Sequence, residues 1–169
     1  MKLAVIYDSK TGNTKQAAEW IAEGMERVEG AEARCFHIEA VDADFVKEAA
    51  GVVIGCPVYA ATMTADLRTW LQTSAGKLGL AGKLGGAFAT QQYTHGGAEL
   101  VIQGILTVEL VHGMLCWSGG ASCGRPVIHI GPVAVNNNAE PHNGMEHYRE
   151  TFRIYGERFA KKAKELFER

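Results

Sequence analysis

The sequence predicts an α/β domain built on a doubly wound parallel sheet with helices on both faces. Three observations predict it. Apolar runs of strand length alternate with helix-period segments from one end of the chain to the other. The run Gly51-Val52-Val53-Ile54-Gly55-Cys56 lacks polar alternation, as suits a strand covered on both faces. The 169 residues, 47% of them hydrophobic and 21% charged, supply one substantial core, with no internal repeat, low-complexity segment or linker to divide it.

Lys2 to Tyr7 is the first strand. A helix starting near Thr14 carries Ala18, Ile21, Ala22, Met25 and Val28 on one face and Glu19, Glu23, Glu26 and Arg27 elsewhere, with Gly30 as its stop. Glu32 to Ile38 reads as the second strand, and Asp42 to Ala49 is short and mixed. Pro57 closes the third strand. After a loop to about Thr64, Leu67, Trp70 and Leu71 recur at helical spacing. Leu84 to Thr90 is the fourth strand, and Ala98 to His112 a long helix. Met114 to Trp117 is a short strand, and Val127 to Ile130 a further candidate within the irregular stretch 118–138. The last helix shows a stripe of Tyr148, Phe152, Tyr155, Phe159, Ala163 and Leu166. Trp20 and Trp70 are assigned to core packing.

The chemistry begins between the first strand and first helix, at Asp8-Ser9-Lys10-Thr11-Gly12-Asn13-Thr14. Ser9, Thr11, Asn13 and Thr14 are neutral donors gathered around one glycine at a helix N-terminus, an arrangement suited to a terminal phosphate monoester. The loop is neither a P-loop nor a dinucleotide fingerprint, since both glycine patterns are absent. A plain polar turn capped by Asn13 or Thr14 is the simpler alternative. With Val5, Ile6, Tyr7, Ser9, Gly12, Thr14, Ala18 and Ile21 in register, the stretch resembles the phosphate-loop signature of the flavodoxins. That resemblance implies FMN as cofactor, with Ser9, Lys10, Thr11, Gly12, Asn13 and Thr14 around its phosphate. It also implies strand order 2-1-3-4-5, which gathers three polar, glycine-bearing loops at the sheet's switch point.

Loop two holds Pro57, Val58, Tyr59 and Ala60, with Tyr59 as a flat face for stacking on a ring. Loop three holds Thr90, Gln91, Gln92, Tyr93, His95, Gly96 and Gly97, donors for a flavin edge with glycines for close approach. Pro57-x-Tyr59-x-x-x-Met63, Leu67-Arg68-x-x-Leu71, Gly82-Lys83, Phe88, Gly96-Gly97 and His112-Gly113-Met114 together resemble the WrbA-type NAD(P)H:quinone oxidoreductases. The resemblance runs from the first strand to just beyond Met114. It implies NADH or NADPH as donor, a quinone or similar small molecule as acceptor, ping-pong kinetics in one shared pocket, and a homodimer or homotetramer. It also implies contact between His112 and FMN, and so a catalytic part for His112. A histidine serving only the helix dipole is the alternative. The chain departs from that family at Thr11, where the family has an aromatic, and at Lys77-Leu78-Gly79-Leu80, where it has a tryptophan. Trp117 is a candidate cover for the flavin of its own or a neighbouring subunit.

A net charge of −2 argues against a nucleic-acid partner, and also against the strongly acidic surface of electron-shuttle flavodoxins. No leader pattern or bilayer-length apolar run is present, so no membrane insertion and a cytoplasmic setting are expected. Cys35, Cys56, Cys116 and Cys123 are then expected as free thiols, and their spacing matches no common metal site. The functional expectation is an FMN-dependent NAD(P)H:quinone oxidoreductase. The alternatives are a flavodoxin-type one-electron carrier between proteins and a non-enzymatic module on the same fold.

Overall fold

The computed structural model describes residues 1–137 and 144–168. The strands are β1 (Lys2–Tyr7), β2 (Glu32–His37), β3 (Gly51–Tyr59), β4 (Thr62–Met63), β5 (Leu84–Gln91), β6 (Leu115–Cys116) and β7 (Val133–Val135). The helices are α1 (Asn13–Met25), α2 (Ala43–Glu48), α3 (Ala65–Thr73), α4 (Ala98–Val111) and α5 (Arg149–Phe167). The segment that reads as short and mixed in the sequence becomes α2, because the Asp42 carboxylate caps it by accepting from the Asp44 and Phe45 N–H groups.

The sheet runs β2-β1-β3-β5-β6, with β7 also on β5. All of these pairings are parallel. The two-residue β4 only folds back antiparallel on the end of β3. The fifth strand is split. β6 pairs with Leu84 and Gly85, and β7 with Ala89 to Gln91, while residues 117–132 leave the sheet and return. Taking β6 and β7 as two halves of one strand, the order is the expected 2-1-3-4-5. The returning half is not where the sequence suggests. Val127 to Ile130 form no strand; the backbone bends there, burying Ile128 and leaving Val127 and Ile130 toward solvent. Pro126 and Pro132 bracket that segment and cannot donate to a ladder. Arg158 of α5 holds the carbonyls of Arg125 and Pro126.

Strand side chains alternate between two cores. Ala4, Ile6, Val52 and Ile54 pack with Phe45, Leu67, Trp70, Leu71, Ile102 and Ile105 under α2, α3 and α4. Leu3, Val5, Val53 and Phe88 pack with Trp20, Ile21, Met25, Phe152, Tyr155 and Phe159 under α1 and α5. Trp20 and Trp70 are core residues, as expected. Trp117 does not line the cavity of its own chain. It packs on Phe159, ring centroids 6.3 Å apart, within the α5 core and away from the rim where a cofactor would lie. Of the α5 stripe, Phe152, Tyr155, Phe159 and Ala163 are buried and Leu166 is exposed near the helix end. Among the described residues no helix is long and apolar enough to cross a membrane.

Candidate functional site

In a parallel sheet of this kind every crossover helix starts at the carboxyl ends of the strands. Loop one, loop two and loop three meet there around a cavity of about 640 Å³, within the usual size range of small-molecule sites. Thr11 and Asn13 form one wall, Pro57 to Ala61 the second, and Thr90 to Tyr93 with Gly96 the third. Asn136, just beyond β7, closes the remaining side. None of these lining residues carries a charge at neutral pH.

Loop one is held by its own serine. Ser9 Oγ accepts from the N–H groups of Gly12 (3.2 Å) and Lys15 (3.3 Å). Gly12 caps α1 in the left-handed conformation, φ +93°, which is why a glycine stands there: its Cβ direction is open, but the backbone angle disfavours a side chain. No acidic residue lies in the first turn of α1, so the positive end of the helix dipole is uncompensated by side-chain charge. Thr14 is buried, and its hydroxyl bonds that of Thr90 at 2.7 Å, joining loop one to the end of β5.

Of loop one, Thr11 and Asn13 line the cavity, whereas Ser9, Lys10, Gly12 and Thr14 do not, and the Lys10 side chain is engaged by carboxylates. Its ammonium pairs with the Asp66 carboxylate on α3 and lies 3.3 Å from buried Asp8. The Asp8 carboxylate also accepts from the Thr64 hydroxyl, and Thr64 in turn caps α3 by accepting from Leu67 N–H. Two acidic partners therefore commit Lys10 to fastening loop one to α3.

Loop two is the tight β3–β4 hairpin. Tyr59 pairs with Thr62, and the central residues Ala60 (φ 50°) and Ala61 (φ 59°) are both left-handed. Such turns favour Asn or Gly, so two alanines store strain at the cavity edge. The hairpin tip sits on the start of α4, where Gly97 (φ +98°) caps the helix. A Cβ on Gly97 would come within 2.9 Å of Ala61 Cα and Cβ. Beneath the hairpin, burial pushes the Cys56 thiol up to about 11, so it stays a thiol, accepting from Thr64 N–H and donating to the Pro57 carbonyl. Burial likewise raises Cys35 and Cys116 to about 12. All four cysteines are free.

In loop three, Gln91 is spent inside the protein. Its Nε2 donates to the Thr94 carbonyl (3.2 Å) and its Oε1 accepts from Ala98 N–H (3.1 Å), so the side chain shapes the loop and caps α4. Tyr59 (47% exposed) and Tyr93 (62% exposed) line the cavity from the second and third walls. His95 is exposed on the loop, outside the lining.

His112, expected in the pocket, is not there. It follows the last residue of α4, and a helix of that length carries it about 20 Å from the Gly97 end. The neighbouring Gly113 carbonyl accepts from Gly82 N–H just before β5, which fixes this corner at the amino end of the sheet. Asn136, conversely, lies outside the expected set. With the fifth strand read at Met114 to Trp117, nothing marks Asn136 as a strand end. The run Val133-Ala134-Val135 followed by asparagines is the signal that could have done so.

A profile of the NADPH-dependent FMN reductase family matches residues 1–123. A flavodoxin of Clostridium saccharobutylicum is 37% identical over 167 residues, spanning 99% of this chain and 100% of that one. The chain belongs to the flavodoxin-like FMN proteins of this family. An NAD(P)H dehydrogenase (quinone) of Geotalea daltonii is 31% identical to this flavodoxin-like chain over 142 residues, covering 68% of it and 69% of the relative. The fold of the WrbA-like flavodoxin from Agrobacterium tumefaciens superposes with a TM-score of 0.76 at 22% identity, covering 97% of this chain and 98% of the other.

Proposed function

We propose that the cavity binds FMN and that the protein is an FMN-dependent oxidoreductase of the NAD(P)H:quinone type. The observation that carries this is the juxtaposition of a neutral, donor-lined loop at an uncompensated helix N-terminus with an uncharged cavity flanked by two half-exposed tyrosines. Ser9, Thr11, Gly12, Asn13 and Thr14 would hold the phosphate. Val58 to Ala61 and Gln92 to Gly96 would offer backbone groups to the ring edge, and Tyr59 and Tyr93 would exclude water from its faces. FMN bound there supplies hydride exchange, with NADH or NADPH as donor and a quinone as acceptor. Use of one open side by both substrates leads to ping-pong kinetics. Among the described residues, Tyr59 and Tyr93 are the ionisable groups that line the cavity.

The second reading is an electron carrier between proteins, favoured by the full-length similarity to a flavodoxin. An anaerobic absorbance titration separates the two. Bleaching of the FMN-loaded protein by NADPH or NADH, reversed by a quinone, is expected for the reductase. Failure of both nicotinamides to bleach flavin that dithionite readily reduces would establish the carrier instead.

A further inference from the structure

Asn13 opens α1 and lines the cavity beside the phosphate loop. A side-chain amide can present either of two ends, an NH2 donor or a carbonyl acceptor. Only the donor suits an anion. The choice matters here because the nearby cations are otherwise engaged: Lys10 by Asp66 and Asp8, and Lys15 by Glu19 at 3.8 Å.

The end that Asn13 presents is set by a second amide. Asn136 Nδ2 donates to Asn13 Oδ1 at 3.2 Å. That contact occupies the acceptor end and leaves Asn13 Nδ2 for the cavity. Asn136 is anchored in the sheet rather than in the loop it serves. Its N–H donates to the Gln91 carbonyl at 2.9 Å, and the Gln91 side chain is fixed between Thr94 and Ala98.

We propose that Asn136 is a positioning residue that sets the polarity of Asn13, so that loop one presents donors to a phosphate monoester and selects FMN over riboflavin. This rests on the FMN reading above. It assigns part of the cofactor specificity to the far edge of the sheet, 123 positions along the chain from the residue it orients.

The test is fluorescence titration of the full-length apoprotein with FMN and with riboflavin. Asn136→Asp can only accept, so Asn13 must turn its NH2 toward residue 136 and its carbonyl toward the phosphate. FMN affinity is expected to fall roughly 10- to 100-fold, the range of one lost charge-assisted hydrogen bond, with riboflavin affinity within about threefold of wild type. In an Asn13→Ala background most of that penalty should vanish. Asn136→Ala, which holds neither orientation, should give a smaller FMN-selective loss that is non-additive with Asn13→Ala, and it serves if the aspartate variant does not fold. A penalty that persists undiminished without Asn13 would mean simple charge repulsion and overturn the proposal. Equal losses for both flavins would mean a merely structural role and also overturn it. Wild-type protein that binds neither flavin would remove the FMN reading, and this inference with it. Wild-type protein that binds FMN with no effect of residue 136 removes this inference alone.

Discussion

Helices α1, α2, α3 and α4 begin on the same edge of the sheet, yet they begin in two different ways. α2 and α3 are capped by the residue immediately before them, Asp42 and Thr64, whose side chains accept from first-turn N–H groups. α1 and α4 begin at the left-handed glycines Gly12 and Gly97, which have no side chain to offer. Their acceptors are borrowed from loop residues, Ser9 Oγ for α1 and Gln91 Oε1 for α4. The two glycine-started helices are the ones that adjoin the cavity. A helix end satisfied by its own cap is finished. One satisfied by a loop hydroxyl can exchange that acceptor for a ligand's oxygen, which couples the state of the loop to the state of the site.

Substitutions at these starts should separate the two kinds. The largest effect on stability is expected from Gly97→Val, where a β-branched residue must adopt φ near +98° and meets Ala61. A loss of about 3 kcal/mol is expected in denaturant unfolding, with FMN affinity falling in parallel because loop two is displaced. Next come the self-capped helices. Thr64→Val removes the α3 cap and leaves the buried Asp8 carboxylate without its hydroxyl donor, a loss of about 2 kcal/mol. Asp42→Ala removes a cap alone and should cost about 1 kcal/mol. Ser9→Ala is expected to change stability least, by under about 0.5 kcal/mol, while weakening FMN binding roughly tenfold. Were Ser9→Ala as destabilising as Thr64→Val and neutral toward FMN, the distinction between finished and exchangeable helix starts would fail.

Much of the fold is legible in the sequence because its signals are local. The apolar run of β3, the periodicity of α1, α3 and α5, and the strand-loop-helix pattern around Gly12 are each visible within a dozen residues. The proposal of loop one as a phosphate site rests on the same kind of local signal. What could not be read depends on distant partners. Lys10 looks available to an anion until Asp66 and Asp8 are seen to hold it. Gln91 looks like a flavin donor until its amide is found committed to Thr94 and Ala98. His112 lies at the far end of α4 from its own chain's cavity, a separation set by helix length. The second half of the fifth strand was misread because three residues carry too little periodicity to compete with the neighbouring apolar run of Val127 to Ile130. Asn136 went unseen with it.

The interruption of that fifth strand has a bearing on how the molecule behaves among its own copies. A sheet edge is a template for added strands in proportion to the length of its unpaired row. The β2 edge carries Glu32 and Arg34, which are paired with each other and exposed. At the opposite edge the backbone is cut into pieces of two and three residues, with the Arg158-anchored segment between them. Neither piece is long enough to nucleate an intermolecular ladder. Residues 117–132, which look like an inert detour around the sheet, thus keep each strand piece on this edge to two or three residues.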